Sequence, residues 1–307
     1  MHDVQWRKSG EAMNLSDSAR GLHPTVGVVV ASVLFGTSGT ARSFLADDVS
    51  SFGIAAMRLL IGAAPLLFFA FLVHRSSFRR PNREVIAAGC AMALFQVLFF
   101  QSISLTGVAV GTMVTIGSGP VIATAVECVV ARRFSWSMLG GVGVALIGLS
   151  MLVFGSAPLD GGQFSTQGVL SGVGAGACYA MYTHISKGLL TKGWAGSWVM
   201  AQSFSVSAIV CGIFLFMVPM QWLFTPQAIV TVLYLGVATI AVPYLLYALS
   251  LARLSSAVVV TLTLIEPVTA TALGAFLLQE NITMLSWLGA VITLAGLIHT
   301  GLTTRET

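Results

Sequence analysis

Two prolines stand in the middle of long apolar runs, where few other residues could take part in chemistry. Pro120 lies in one such run, and Pro267 lies in another. A proline inside a helix removes a backbone donor and strains the preceding turn, so a carbonyl is freed and the helix can bend. Either the two prolines are paired hinges beside a cavity, or each is a static kink whose freed carbonyl is satisfied by a neighbouring helix.

One carboxylate directly precedes the second proline. An ionised carboxylate is costly in apolar surroundings, so Glu266 must be neutral, paired or in contact with water. Two interpretations remain open. In the first, Glu266 lines a cavity and binds an ammonium group or carries a proton. In the second, it is a protonated carboxyl that donates a hydrogen bond to the carbonyl freed by Pro267.

Side chains that form hydrogen bonds without a fixed charge occur in other apolar runs. Tyr179, Tyr244 and Gln96 each lie within a run. Their donors and acceptors suit a zwitterionic or amphipathic small molecule. We expect these three side chains to line a cavity, and the alternative is that they hold helices together.

A serine motif is not expected to be catalytic. Residues 36–39 read Gly-Thr-Ser-Gly, as in rhomboid-type intramembrane proteases. Ser38 would need a histidine at the same depth as its base, but His184 lies about 15 Å nearer the inner face at 1.5 Å per residue. The sequence holds no HExxH, Walker-type loop or paired-Asp motif. We therefore predict no catalytic residue, no metal site and no cofactor.

The composition explains why so few residues are available for chemistry. The 307 residues are 56% hydrophobic and only 8% charged, with a mean hydropathy of +0.90, whereas a soluble domain carries about 25% charged residues. These values exclude a soluble enzyme, a nucleic-acid-binding protein and a disordered chain. We therefore predict an all-α integral membrane protein whose surroundings are a lipid bilayer.

Ten apolar runs are long enough to cross a bilayer, which takes roughly 17–25 residues each. The short connections between them force neighbouring helices to be antiparallel. The predicted spans are 24–45, 51–73, 85–106, 109–131, 136–154, 167–186, 194–217, 226–250, 255–278 and 284–302.

Charge predicts the orientation of these spans. Thirteen of the 15 Lys and Arg residues fall in segments on the side of the N-terminus, and none falls in the loops on the other side. This asymmetry is typical of cytoplasmic segments. We therefore expect both termini in the cytoplasm and a bacterial-type cytoplasmic (inner) membrane, with tails at 1–23 and 303–307.

The other two basic residues lie inside spans. Arg42 and Arg58 belong to the outer third of spans 1 and 2, within reach of Asp47 and Asp48. They are either a structural pair that anchors this hairpin, or an outer gate and docking point for a substrate carboxylate. At the other face, Glu127 is expected to form an ion pair with Arg132 or Arg133.

The chain contains a duplication. Residues 120–126 and 267–273 are identical at five of seven positions, and Gly141 and Gly148 correspond to Gly289 and Gly296. The halves are 24–154 and 167–302, joined by an outer linker at 155–166. Since each half has an odd number of spans, the second must enter the membrane inverted, which is typical of secondary transporters.

The chain resembles the EamA-type exporters of the drug/metabolite transporter superfamily. The resemblance covers residues 24–302 and rests on motifs in both halves: Phe35-Gly36, Tyr179-Ala180, Arg58, Gly119-Pro120 and Glu266-Pro267. It implies a central cavity lined by spans 1, 3, 4, 6, 8 and 9, with spans 5 and 10 packed at the far end. One departure is that Gly119 stands where the second half has Glu266.

The resemblance also implies a function. We expect a secondary transporter, not an enzyme, that exports amino acids, aromatic ones included, or similar small metabolites by alternating access. The alternatives are a broad-specificity drug/metabolite or nucleotide-sugar-type transporter and, from another class, an intramembrane enzyme. The expected partners are a small-molecule substrate and lipid, with no nucleic acid. The glycines of spans 5 and 10 serve either intrachain packing or a homodimer surface.

Overall fold

The computed structural model describes residues 23–303 except for 46–48, 107, 132–135, 157–164 and 280–281. The described residues form helices and connections, with no strand among them. Asp47, Asp48, Arg132 and Arg133 lie outside this part of the chain, as do the two tails beyond 23 and 303. The ion pairs expected with these four residues are therefore not described.

The first half forms five helices in sequence order. Ser50 and Asn82 cap the second and third helices, because their side-chain oxygens accept backbone N–H groups three residues further along. The helices are α1 (Pro24–Arg42), α2 (Ser51–His74), α3 (Arg83–Thr106), α4 (Val108–Ala131) and α5 (Trp136–Ser156).

The second half also forms five helices, but two of them are irregular. Helix α8 contains one π-helical turn, and α9 is interrupted after its second turn. The helices are α6 (Thr166–Thr191), α7 (Gly196–Ile213), α8 (Pro226–Gly236, the π turn Val237–Ala241, then Val242–Leu251), α9 (Ser256–Leu262 and Ile265–Phe276) and α10 (Met284–Thr303).

These helices are those of a multi-pass membrane protein. Among the described residues, seven helices are long and apolar enough to cross a membrane, and the apolar parts of α5 and α10 are shorter. Large apolar side chains such as Phe68, Ile147 and Leu170 point outward, as expected where lipid replaces water. The finer expectation of ten spans with both termini on one side stays a prediction.

The packing of the helices is symmetric when the two halves are exchanged. Helix α1 packs on α8 and α9, and its counterpart α6 packs on α3 and α4. Helix α2 packs on α8, its counterpart α7 packs on α3, and α2 and α7 also pack on each other. Each half therefore contributes helices to both sides of the centre, so any cavity there is built from both halves.

Helices α5 and α10 pair away from this centre through their glycines. Gly141 faces Gly296 and Thr300, while Gly148 faces Gly289 and Thr293. Small residues allow two helix backbones to approach closely in a membrane. These glycines therefore serve packing within the chain, and a homodimer through α5 and α10 would have to use other faces.

The close approach predicts a strong dependence on side-chain size. A Cβ atom at Gly148 would overlap the backbone of Thr293 and lie 2.7 Å from the Gly289 carbonyl oxygen. We expect Gly148→Ala to lower the free energy of unfolding by about 1–3 kcal/mol, because backbone atoms cannot move aside. Thermal unfolding of the purified protein in detergent measures this change.

Gly143→Ala is the matched control on the same helix, since a Cβ atom there meets nothing within 4 Å. We expect its unfolding midpoint to be equal to or slightly above that of the wild type, because alanine favours a helix over glycine. Equal midpoints for Gly148→Ala and Gly143→Ala would contradict the packing described for α5 and α10.

Candidate functional site

A small cavity lies where the two halves cross. Its volume is about 80 Å³, whereas pockets for drug-sized ligands measure about 300–1,000 Å³. Seven helices line it, and the lining residues are Phe35 and Ser38 of α1, Arg58 of α2, Phe95 of α3, Thr115, Ile116 and Gly119 of α4, Tyr179 of α6, Thr239, Ile240 and Tyr244 of α8, and Val260, Thr263 and Glu266 of α9.

Two opposite charges face this cavity from different halves. Arg58 comes from α2 and Glu266 from α9, and the two side chains lie within electrostatic range of each other. No nitrogen–oxygen contact within 4.0 Å joins them, and Nε of Arg58 is buried without a hydrogen-bond partner in the described part of the chain. The cavity thus contains a guanidinium group and a carboxyl group that are not in direct contact with each other.

The interruption of α9 places Glu266 at the cavity. Pro267 has no N–H to donate to the Thr263 carbonyl, which instead accepts from the Glu266 N–H at 2.9 Å. This shift deprives the Leu262 carbonyl of its usual helical partner. The second part of α9 therefore starts anew at Ile265, with Glu266 in its first turn.

The carbonyl freed at this interruption finds a partner on another helix. The Ser32 hydroxyl of α1 lies 3.3 Å from the Leu262 carbonyl oxygen and 2.8 Å from that of Val28. No hydrogen bond from the Glu266 carboxyl to the Leu262 carbonyl is present. Of the two interpretations of Glu266, this arrangement favours a group that faces the cavity.

The two prolines differ in their surroundings. Helix α4 runs without interruption through Pro120, whereas α9 is interrupted just before Pro267. Both prolines are buried beside lining residues, but neither lines the cavity itself. Gly119, next to Pro120, takes the lining position, and the close approach of Gly176 on α6 to Gly119 leaves no room there for a Cβ atom on Gly176. A paired hinge therefore stays a prediction.

Aromatic rings form one wall of the cavity. Tyr244 packs against Phe35 at 5.1 Å between ring centroids, and Tyr179 packs against Phe95 at 5.5 Å. Behind them, the Tyr247 hydroxyl and Thr183 Oγ1 are 2.7 Å apart, and the Thr183 hydroxyl donates to the Tyr179 carbonyl. This contact fixes α6 relative to α8 at the depth of the two cavity tyrosines.

Gln96 does not reach the cavity. It is 1% exposed and its Oε1 has no partner among the described residues. Neighbouring residues in a helix point about 100° apart, and Phe95 takes the lining position on α3. In this structure Phe95, and not Gln96, is the residue of α3 that faces the cavity.

The two arginines are far from equivalent. Arg42 lies at the end of α1, where its Nη2 donates to the Val49 carbonyl at 3.1 Å and ties α1 to the start of α2. Arg58 points into the cavity together with Glu266. Their similar depth in spans 1 and 2 suggested a shared role. In the structure Arg42 joins the end of α1 to the start of α2, whereas Arg58 lines the cavity.

A second polar cluster lies at one end of the same helices. The Glu127 carboxylate of α4 accepts the Ala257 N–H of α9 at 3.0 Å, and Lys187 of α6 donates to the carbonyls of Leu251 and Ala252. Glu127 is eight residues beyond Gly119, about 12 Å along the helix. These bonds join α4 and α6 to the connection between α8 and α9.

No histidine accompanies the serine of the protease-like motif among the described residues that line the cavity. Ser38 itself lines the cavity. Across the described ranges, no group of three or more His, Cys, Asp or Glu side chains could hold a metal ion.

Comparisons with known proteins agree with this architecture. A model described as the EamA-like transporter family matches residues 25–154 and again 166–302. The chain is 34% identical over 277 residues to the uncharacterized transporter YwfM of Bacillus subtilis, covering 88% of this chain and 91% of that protein. It is 29% identical to the threonine/homoserine exporter RhtA of Escherichia coli K12, covering 91% and 90%.

A solved protein structure shares the fold. Its TM-score is 0.80 with 17% sequence identity, covering 92% of this chain and 98% of that one.

The Glu127 contact predicts a difference between two substitutions. Glu127→Leu removes the acceptor of the Ala257 N–H, whereas Glu127→Gln keeps an acceptor oxygen of the same reach. We expect the leucine variant to lower the free energy of unfolding by about 1–3 kcal/mol, and the glutamine variant to lose less than half of that. Unfolding midpoints followed by intrinsic fluorescence provide the measurement. An equal loss in both variants would show that the charge near Lys187, and not the hydrogen bond, holds this end together.

Proposed function

The chain belongs to the EamA-like transporter family, and we propose that it is a secondary transporter that exports amino acids or similar small metabolites across a bacterial-type cytoplasmic membrane. This membership confirms the resemblance inferred from the motifs. The relatives YwfM and RhtA carry the name of transporter or exporter, which favours transport over catalysis. Membership of the family is established, whereas the substrate and the direction of transport are what we propose.

The observation that carries this proposal is a central cavity shared by both halves. Four of its helices come from the first half and three from the second, and the helix contacts repeat when the halves are exchanged. In transporters built from inverted repeats, the substrate lies at the interface of the repeats near the bilayer midplane. Rocking of one half against the other exposes such a site to either face in turn.

The size of the cavity favours a small substrate. A volume of about 80 Å³ supports an amino acid or a metabolite of similar size over drug-sized or nucleotide-sugar-type molecules, whose pockets reach about 300–1,000 Å³. The relative RhtA is named as a threonine/homoserine exporter, which points the same way. We therefore place amino acids first among the substrates to test.

The proposed topology has ten spans, with both termini in the cytoplasm and the second half inverted. The excess of Lys and Arg in the predicted inner segments supports it. The close pairing of α5 and α10 also supports it, because these helices hold corresponding positions in the two halves.

Transport by the purified chain tests the proposed function. Reconstituted into liposomes loaded with unlabelled amino acids, it is expected to accelerate counterflow of the matching labelled amino acid at least tenfold over protein-free liposomes. Threonine, homoserine, leucine and phenylalanine form the first panel, each measured with and without a pH gradient.

The outcomes of this assay separate the alternatives. Counterflow of amino acids supports the proposal, and its stimulation by a pH gradient identifies proton coupling. Absence of counterflow for every amino acid, combined with transport of a drug-sized cation or a nucleotide sugar, would overturn the substrate assignment and favour the broad-specificity alternative.

Two connections at corresponding places in the repeat test the inversion. Arg80 lies between α2 and α3 and Met217 lies between α7 and α8, and both are exposed. In a variant lacking the four native cysteines, we expect a membrane-impermeant maleimide to label Met217→Cys on intact cells and Arg80→Cys only after permeabilisation. Labelling of both positions from the same side would contradict an inverted second half.

A further inference from the structure

We propose that the cavity binds the zwitterionic head of an α-amino acid, with its carboxylate at Arg58 and its ammonium group at Glu266. This inference rests on the proposed function and names the substrate class that the cavity selects. It depends on the placement of both charges at one cavity, which the order of residues along the chain does not reveal.

Arg58 supplies the site for the carboxylate. Its guanidinium is always protonated, and its planar set of N–H donors matches a carboxylate with two parallel hydrogen bonds. In the described part of the chain, its Nε is buried and has no acceptor. The Arg58 side chain also lines the cavity, so a ligand carboxylate placed there would meet the exposed part of the guanidinium.

Glu266 supplies the site for the ammonium group. Its carboxyl faces the same cavity, and no described side chain donates a hydrogen bond to it. The neighbouring carbonyl of Leu262, which could have engaged a protonated carboxyl, already has the Ser32 hydroxyl within 3.3 Å. The carboxylate is therefore free to accept N–H bonds from a ligand.

The gap between the two charges selects for a ligand that carries both. Arg58 and Glu266 interact electrostatically but are more than 4.0 Å apart by their nearest nitrogen and oxygen atoms. A zwitterion placed between them pairs each buried charge with its opposite. A ligand with only one charge would leave either the guanidinium or the carboxylate without a partner. An unpaired buried charge is strongly unfavourable.

The same arrangement couples binding to the closure of the two halves. Arg58 belongs to the first half and Glu266 to the second, so a zwitterion that contacts both joins them. The aromatic wall of Phe35, Phe95 and Tyr244 remains for the side chain of the ligand. The charged pair therefore recognises the part common to all α-amino acids, and the wall receives the variable part.

Ligands that lack one charge test this inference on the wild-type protein. Threonine is compared with 1-amino-2-propanol, which lacks the carboxylate, and with 3-hydroxybutyrate, which lacks the amine. Leucine and phenylalanine are compared with their own amines and acids. Binding to the purified full-length chain in nanodiscs is measured by displacement of whichever labelled amino acid binds. We expect each zwitterion to bind at least about tenfold more tightly than either analogue, as expected for a lost charge-assisted bond.

Two variants connect each charge of the ligand to one residue. Arg58→Gln is expected to weaken binding of the amino acid and the acid by at least about tenfold while leaving the amine within about twofold. Glu266→Gln is expected to show the reverse pattern, weakening the amino acid and the amine but not the acid. Arg80→Gln and Glu84→Gln remove one charge of each sign outside the cavity, at an exposed and a partly exposed position, the latter paired with Lys192, and are expected to leave all three affinities unchanged.

The conservative variants Arg58→Lys and Glu266→Asp keep the charges. They provide a second test in case the neutral variants do not fold. They are expected to retain the preference for zwitterions even if the neutral variants lose their monodisperse elution. Wild-type protein that binds the amine or the acid as tightly as the amino acid would overturn the inference. Arg58→Gln and Glu266→Gln variants that are monodisperse yet weaken all three ligands equally would also overturn it.

Failure of the proposed function gives a different result. If the analogues show the expected pattern of binding but liposomes show no counterflow of any amino acid, the zwitterion site stands and export is wrong. If counterflow occurs while binding is indifferent to the loss of either charge, export stands and the zwitterion site is wrong.

Discussion

Backbone hydrogen bonding in a medium without water is the constraint on which the rest of this structure depends. Every N–H and C=O group within hydrocarbon must find a partner in the protein, so the apolar runs fold as helices. The two irregular helices depart from this pattern only in the interior, where the π turn of α8 and the interruption of α9 both border the cavity. There the freed Leu262 carbonyl lies 3.3 Å from the Ser32 hydroxyl.

Small residues allow the helices to come close enough to share that interior. At α5 and α10, glycines of one helix rest on the backbone of the other, and Gly36 of α1 likewise rests on the Glu266 carbonyl of α9. Since lipid offers no hydrophobic driving force between helices, such close packing and interhelical hydrogen bonds must hold the halves together. The contacts of Glu127 and Lys187 add polar bonds at one end of the same helices. The cavity therefore lies within tightly packed helices that polar bonds also join at one end.

Neither of the two charged residues in the cavity forms a bond within the described protein that would offset the cost of its burial. Arg58 and Glu266 are held in the protein interior without a direct bond to each other or to a described side chain. A pair of residues selected only for stability would be in contact or replaced by apolar side chains. Their separation is the physical basis for assigning them to a ligand, and their origin in different halves means that such a ligand would contact both halves.

The sequence alone was sufficient for the membrane setting, the helical class and the duplication, because each depends on composition or on spacing along the chain, and its motifs carried the resemblance to the family. It also singled out Glu266, Tyr179 and Tyr244, since polar groups in apolar runs are unusual. The sequence did not reveal the direction in which a side chain points. Gln96 and Phe95 are neighbours in sequence, yet only Phe95 faces the cavity, and Arg58 meets Glu266 from a helix more than 200 residues away. Only the tertiary structure decides such meetings, because they depend on how helices from the two halves cross and rotate against each other.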